Sequence, residues 1–239
     1  MQKAEQSRMA GEWIEIEAAA SPDRELLERL ARGLAHEIRN PLAGIAGVLD
    51  VVFRDLPPDS PARAMAGEVQ GEIGRINELL AGLVEYTRPA PPQFRVADLG
   101  GAAGSAARRA ADEAKERVQI ELAAPEPALV EQDERLIERA LLALIRHAAR
   151  QANGARSVRV TVASDGVWAR VRIEDDGRGA PAGDLAQAFW PFHGGRVQKA
   201  GLALPLAQQA IAAHGGRLRA RSAPGHGTEF LVELPVRQP

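Results

Sequence analysis

"GLAHEIRNPLAG", residues 33–44, sets His36 beside Glu37 and follows them with Asn40 and Pro41, inside a long amphipathic pattern. Leu26, Leu27, Leu30, Leu34, Ile38, Leu42, Ile45, Leu49 and Val52 recur around it at helical spacing. His36 stands about 200° around such a helix from both Leu34 and Ile38, off the apolar stripe and facing solvent. Asn40 lies at i+4 from His36 and i+3 from Glu37, so the three share one accessible patch. Pro41 cannot donate to the carbonyl of Glu37, which loosens the helix beside the imidazole. A carboxylate that orients and deprotonates one ring nitrogen leaves the other free as a nucleophile. A solitary exposed histidine is decoration; these neighbours make it a nucleophile presented on a helix to a macromolecular partner.

Working outward, Ser21 is suited to cap the helix, with Pro22 at its first position. The pattern runs to about Asp55, where "LPPDSP" (56–61) stops it. Met65, Val69, Ile73, Ile76, Leu80 and Leu83 mark a second helix, and "TRPAPPQ" (87–93) reads as a stiff linker. Two long helices joined by a short turn form an antiparallel hairpin with one apolar stripe each. A second copy would bury both stripes in a four-helix bundle, giving a homodimer; packing onto the C-terminal half is the alternative. Upstream, "GEWIEIE" (11–17) alternates like a strand and suits the last strand of a preceding module.

The second half mixes periods. An alanine-rich helix (about 99–117) precedes the strand-like "VQIEL", and residues 133–151 carry a helical apolar pattern. "SVRVTVA" and "WARVRIED" alternate with period two, and "LALPLAQQAIAAHGG" is a helix closed by glycines. "RLRARSAPGHGTEFLVELP" reads as two strands around a Pro-Gly turn. This order predicts an α/β sandwich with helices over one sheet face. The expected division is a linker at 1–21, the hairpin at 22–88, a linker at 89–98 and the α/β domain at 99–239.

Composition excludes several classes. A formal net charge of −2 gives no support for a nucleic-acid binder. The absence of cysteine removes disulfide and thiol chemistry. Apolar runs such as "ALLALI" (140–145) are far short of a membrane span, and the N-terminus lacks a signal-peptide core. A soluble, cytoplasmic chain without a membrane segment is expected.

"HEIRNPL" resembles the phosphoacceptor box of two-component sensor histidine kinases. Together with "DERLIERALLALIRHAARQA" it looks most like their nitrogen-regulation branch. The resemblance implies that His36 accepts a phosphoryl group, that Glu37 acts as its base, and that Glu37 and Asn40 help hydrolyse phosphoaspartate on a response-regulator receiver domain. "RVRIEDDGRGAP" is similar to the first glycine box of the family's ATP-binding domain, of the histidine kinase/Hsp90 type. Independently, Val171, Ile173 and Asp175 share one strand face, so the carboxylate emerges at the strand end and can accept the exocyclic amine of adenine. Gly177 and Gly179 let backbone pass close to the base. "AFWPFHGGR" (188–196) is similar to the phenylalanine box, and "GLALPLAQQAIAAHGG" to the second glycine box.

The departures from the family are specific. His147 stands where the resemblance implies an asparagine that binds Mg²⁺, and Ala143 where a second polar residue is usual. Mg²⁺ prefers oxygen ligands, so imidazole substitutes poorly; a softer metal could accept it. Lys199 and Ala203 replace glycines of the second glycine box, leaving Gly201. Lys199 suits either a phosphate contact or a solvated lid. Arg150 and Arg196 hold places where basic residues are usual. His193 falls in a lid, His214 is placed to cap carbonyls, and His226 sits in a hairpin turn. The reading is a kinase core using ATP and Mg²⁺; the alternative is a pseudokinase or phosphotransfer hub with a degenerate ATP site. A folding or repair ATPase of the same superfamily would not need "HEIRNPL".

Overall fold

A computed structural model describes residues 11–17, 24–57, 59–114, 117–150, 154–192 and 201–238. Ser21, Pro22, His193, Arg196 and Lys199 lie outside the described residues.

Helices α1 (Arg24–Asp55) and α2 (Pro61–Thr87) form the hairpin. Ser60 caps α2, its hydroxyl accepting from Arg63 N, and Pro61 occupies the first turn. Pro41 does not break α1, which continues unbroken for 32 residues. Packing on both sides of the proline offsets the lost hydrogen bond. Ala31 and Ala35 are buried before it, and Leu42 and Leu49 are half-buried beyond it.

That seam differs from the stripe read in the sequence. Small residues and half-buried Leu42, Leu49 and Phe53 line the inside of the hairpin. Leu34 (51% exposed), Ile38 (39%) and Ile45 (48%) instead face away from it, as do Leu26, Leu27, Leu30 and Val52. On α2, Ile73 and Leu80 are buried, whereas Met65 and Val69 are exposed.

The second domain is a two-layer α/β sandwich. Its strands are β1 (Ile14–Glu15), β2 (Arg95–Asp98), β3 (Gln119–Ala123), β4 (Leu129–Gln132), β5 (Ser157–Ser164), β6 (Trp168–Asp175), β7 (Arg217–Ser222) and β8 (Thr228–Pro235). The main sheet has the order β1-β7-β8-β6-β5-β3, antiparallel except for β3 beside β5; β2 and β4 form a separate ladder. Helices α3 (Leu99–Ala114), α4 (Glu134–Ala148) and α6 (Ala203–Ala213) lie over one face, with α5 (Ala182–Gln187) at the side. Val158, Val160, Val171, Ile173, Phe230 and Val232 point into that layer and are fully buried. Alanines at 102, 103, 106 and 110 bring α3 close to α4.

The other sheet face is covered by charge. Glu233 accepts from Arg170 and Arg219, each at 3.0 Å, and Glu229 pairs with Arg172 at 2.8 Å and Arg221 at 2.6 Å. Two segments differ from their reading in the sequence: β2 falls within 89–98, read as a linker, and the strand-like 11–17, assigned to a preceding module, pairs here with β7 of this sheet. Both pair with residues distant in the chain, which local patterning cannot reveal.

The domain rests on the C-terminal end of α2. Arg139 of α4 binds Glu85 through both carboxylate oxygens at 2.8 Å. Gln209 of α6 donates to the Tyr86 carbonyl at 3.1 Å. Gly82 leaves room for Leu202, whose Cδ1 is 3.4 Å from where a Cβ at 82 would stand. Arg88 reaches Glu28 at 3.1 Å and closes the base of the hairpin. Among the described residues, no helix is long and apolar enough to cross a membrane.

Candidate active site

His36, Glu37 and Asn40 are all exposed on α1, as the helical spacing requires. His36 stands eight residues beyond Glu28, about 12 Å along the helix from the Arg88 contact.

A second group of site residues converges at one end of the sheet. Asp175 ends β6 and is 5% exposed. Its Oδ1 accepts from Gly177 N at 2.8 Å, and Thr228 also bonds the carboxylate. Its Oδ2 is buried and has no hydrogen-bond partner among the described residues. Burial pushes the carboxyl up to about 6, against the hydrogen bonds from Gly177 and Thr228 that favour the charged form. A buried acceptor without a partner is costly, and a bound donor would satisfy it.

Glycine is required around this carboxylate. Gly179 has φ +64°, and a Cβ there would meet the Ala223 carbonyl at 2.0 Å; Gly227 has φ +74°, with a Cβ 2.0 Å from the Asp175 carbonyl. Gly227 and Thr228 belong to the site and were missed in the sequence. The run "GHGT", an unusual pair of glycines beside a strand start, was the available signal.

His147 lies in the last turn of α4, its ring edge-on to Phe230 at 5.7 Å. Phe230 in turn meets Phe189 at 6.1 Å. Burial lowers the imidazole to about 4, with a smaller contribution from Arg150, so the ring is neutral at physiological pH. Arg150 is half-buried just beyond the helix, and its own backbone N–H donates to the His147 carbonyl. Gly201 accepts from Phe192 N at 2.9 Å ahead of α6. Phe189 is buried, but Trp190 and Phe192 are exposed.

The Asp175 site suits adenine in its donor chemistry: Oδ2 offers a buried acceptor for the exocyclic amine, while Gly179 and Gly227 let the backbone close around the carboxylate. The place of His147 does not fit Mg²⁺. It presents a neutral nitrogen where a hard ion wants oxygen, and the described residues contain no cluster of three metal-ligating acids or histidines.

His214 does more than cap α6. Fully buried, its Nδ1 donates to the Ala210 carbonyl at 2.7 Å, and its Nε2 accepts from Asp133 N at 2.9 Å. Asp133 caps α4 and also accepts from Gln93 N at 2.9 Å, fastening the connection from the hairpin. His226 sits in the exposed β7–β8 turn, as expected.

Residues 26–91 match the family described as the His Kinase A (phospho-acceptor) domain. Residues 132–238 match the histidine kinase-, DNA gyrase B- and HSP90-like ATPase family. The chain belongs to the two-component sensor histidine kinases. It is 32% identical over 214 residues to the sensor histidine kinase ZraS of Klebsiella oxytoca, covering 88% of this chain and 46% of that protein. It is 30% identical over 224 residues to the sensory histidine kinase/phosphatase NtrB of the same organism, covering 87% of this chain and 62% of that one. The fold is similar to that of full-length ShkA in complex with AMPPNP (TM-score 0.72, 23% identity, 89% of this chain and 46% of that one). It is also similar to histidine kinase ThkA in complex with response regulator protein TrrA (TM-score 0.63, 20% identity, 90% and 64%). The chain thus spans about half the length of ZraS.

Proposed function

We propose that this histidine kinase core transfers the terminal phosphoryl group of ATP to His36 and then to an aspartate of a response-regulator receiver domain. The observation carrying this reading is Asp175 Oδ2, a buried acceptor without a partner among the described residues, in the same chain as the exposed His36–Glu37–Asn40 face. In this reading Asp175, Gly177 and Gly179 hold the adenine end, and Arg150 and Gly201 are assigned to the phosphates. A ring nitrogen of His36 attacks the terminal phosphorus, the bond to the bridging oxygen breaks, and ADP leaves. Glu37 takes the ring proton. In the second step the receiver carboxylate attacks, the phosphorus–nitrogen bond breaks, and the imidazole regains a proton. Glu37 and Asn40 orient water for hydrolysis of the receiver's phosphoaspartate, the phosphatase activity of the same face.

The exposed leucine and isoleucine stripe of α1 supports a homodimer, with residues 22–88 as its unit and 99–239 as the catalytic domain. Use of ATP and of a receiver domain supports a cytoplasmic location for the core. The kinase names of the relatives favour this reading over a phosphotransfer hub with a degenerate site. The test is transfer from ATP to His36 and onward to a receiver. His36→Gln should abolish both labels while nucleotide binding stays intact; an undiminished label in that variant refutes the assignment.

A further inference from the structure

The inward face of β8 and the last turns of α4 meet at the Asp175 end of the sheet. Thr228 and Phe230 are alternate residues of β8, so their side chains share that face. Thr228 bonds the Asp175 carboxylate and Phe230 meets the His147 ring, which sets Asp175 and His147 on one continuous surface. Side-chain oxygen is scarce along it. From Arg139 to Arg150 the chain carries none: the run is arginine, alanine, leucine, isoleucine and histidine. Ala143, one turn before His147, offers only a methyl group. The nearby carboxylates are committed elsewhere. Asp175 Oδ1 accepts from Gly177 N at 2.8 Å, and Asp176 Oδ1 accepts from Arg156 N at 2.7 Å and Ser157 N at 2.9 Å. Glu174 stands opposite Glu229 on the other face of the sheet. The end of α4 offers positive charge instead. Arg146 is paired with both oxygens of Glu113. Arg150 is half-buried and has no carboxylate partner among the described residues, and its charge acts on the His147 ring.

We infer that this site takes ATP as the metal-free anion, with the Arg150 guanidinium neutralising its phosphates and no gain in binding from Mg²⁺. The inference rests on the reading of Asp175 and Arg150 as the two ends of a nucleotide site. A half-buried guanidinium is withdrawn from water without a counter-ion, and a polyphosphate supplies one to its paired N–H donors. Mg²⁺ gains from a protein by exchanging water for oxygen ligands in octahedral geometry. The end of α4 has no side-chain oxygen to give, its ring nitrogen is a poor ligand for a hard ion, and the neighbouring guanidinium repels a dication. Metal and arginine therefore compete for the same phosphate oxygens. Mg²⁺ also binds ATP in solution and withdraws the form that this site prefers. ATP affinity should hold level or fall as Mg²⁺ rises, the reverse of a site built around the ion.

The test is calorimetric titration of the full chain with adenosine and with ATP, each in EDTA and in excess Mg²⁺. In EDTA, ATP should bind at least about tenfold more tightly than adenosine, because a charge-assisted contact to the phosphates is made without metal. Excess Mg²⁺ should leave ATP affinity level or lower it. Arg150→Gln should remove most of the gain of ATP over adenosine while adenosine still binds. His147→Asn with Ala143→Asn supplies two amide oxygens and should turn the response to Mg²⁺ positive. ATP binding more than about twofold tighter in Mg²⁺ than in EDTA overturns the inference. So does undiminished ATP affinity in Arg150→Gln, or adenosine binding with no gain for ATP in EDTA. Should Arg150→Gln not fold, the two media compared on the unaltered chain decide alone. If ATP binds but His36 is never labelled, the acceptor reading fails and the same titrations still decide the inference. If no nucleotide binds in either medium, the nucleotide reading and the inference fall together.

Discussion

Arg139 on α4 grips Glu85 on α2 through both carboxylate oxygens, so one bidentate pair spans the ATPase domain and the phosphoacceptor hairpin. Both side chains are partly solvated, and such pairs contribute about 0.2–1 kcal/mol. Arg139→Glu replaces attraction with repulsion at the same place. It should shift the domain off α2, detected as faster exchange of the Tyr86–Arg88 backbone and a more extended solution-scattering profile. An unchanged profile would show that the α6 contacts suffice without this pair.

The outward face of α1 predicts self-association. Ile38 and Ile45 are large and apolar, and the described residues leave them 39% and 48% exposed. Losing one such side chain from a packed seam costs roughly 2–5 kcal/mol, and a buried charge costs more. Ile45→Glu should convert a particle of about twice 25.5 kDa into one of 25.5 kDa by light scattering, leaving nucleotide binding intact. Ile73 and Leu42 pack within the hairpin, so charges there should unfold the hairpin itself.

The Asp175 carboxyl, raised from 3.8 to about 6 by burial, sets a pH dependence. Its raised value means the native state binds the proton more tightly, so its stabilising contribution is present below 3.8 and lost as pH rises through about 6. Nucleotide binding should run the opposite way. Oδ1 is already occupied by Gly177, so the proton resides on Oδ2 and blocks the adenine amine. ATP affinity should fall as pH drops below about 6, and Asp175→Asn should be weak at every pH. A flat profile from 5 to 8 by titration calorimetry would contradict the assigned contact.

His147 titrates with the other sign. Its value is depressed from 6.5 to about 4, so its contribution is present above 6.5 and lost as pH falls towards 4. Imidazole resonances should stay those of a neutral ring down to about pH 5. His147→Asn should strengthen Mg²⁺-dependent ATP binding by about ten- to a hundredfold, the value of one good charge-assisted ligand. Strong Mg²⁺ dependence in the unaltered chain would show that metal is bound without this position.

Much of this architecture is legible because its signals are local. The hairpin turn is announced by "LPPDSP" and Ser60, β5 and β6 by strict alternation, and Asp175 by its place at a strand end. The unread parts depend on partners far along the chain. β2 and β4 are four residues each and pair Arg95 with Gln132, too short for periodicity to show. β1 pairs with residues about two hundred positions away. The inner seam of the hairpin uses Ala31 and Ala35, whose small side chains give little hydropathy contrast, so the larger leucines drew the stripe to the outer face. His147 was visible as a departure from the family, but its neutral state follows from burial against Phe230.

The most direct test of the central claim is to incubate the chain with terminally labelled ATP and map the phosphate by peptide mass spectrometry. The account predicts an acid-labile, base-stable phosphate on His36, absent from His36→Gln and lost to a receiver aspartate when one is added. An acid-stable phosphate, or one on any other residue that persists in His36→Gln, would contradict it.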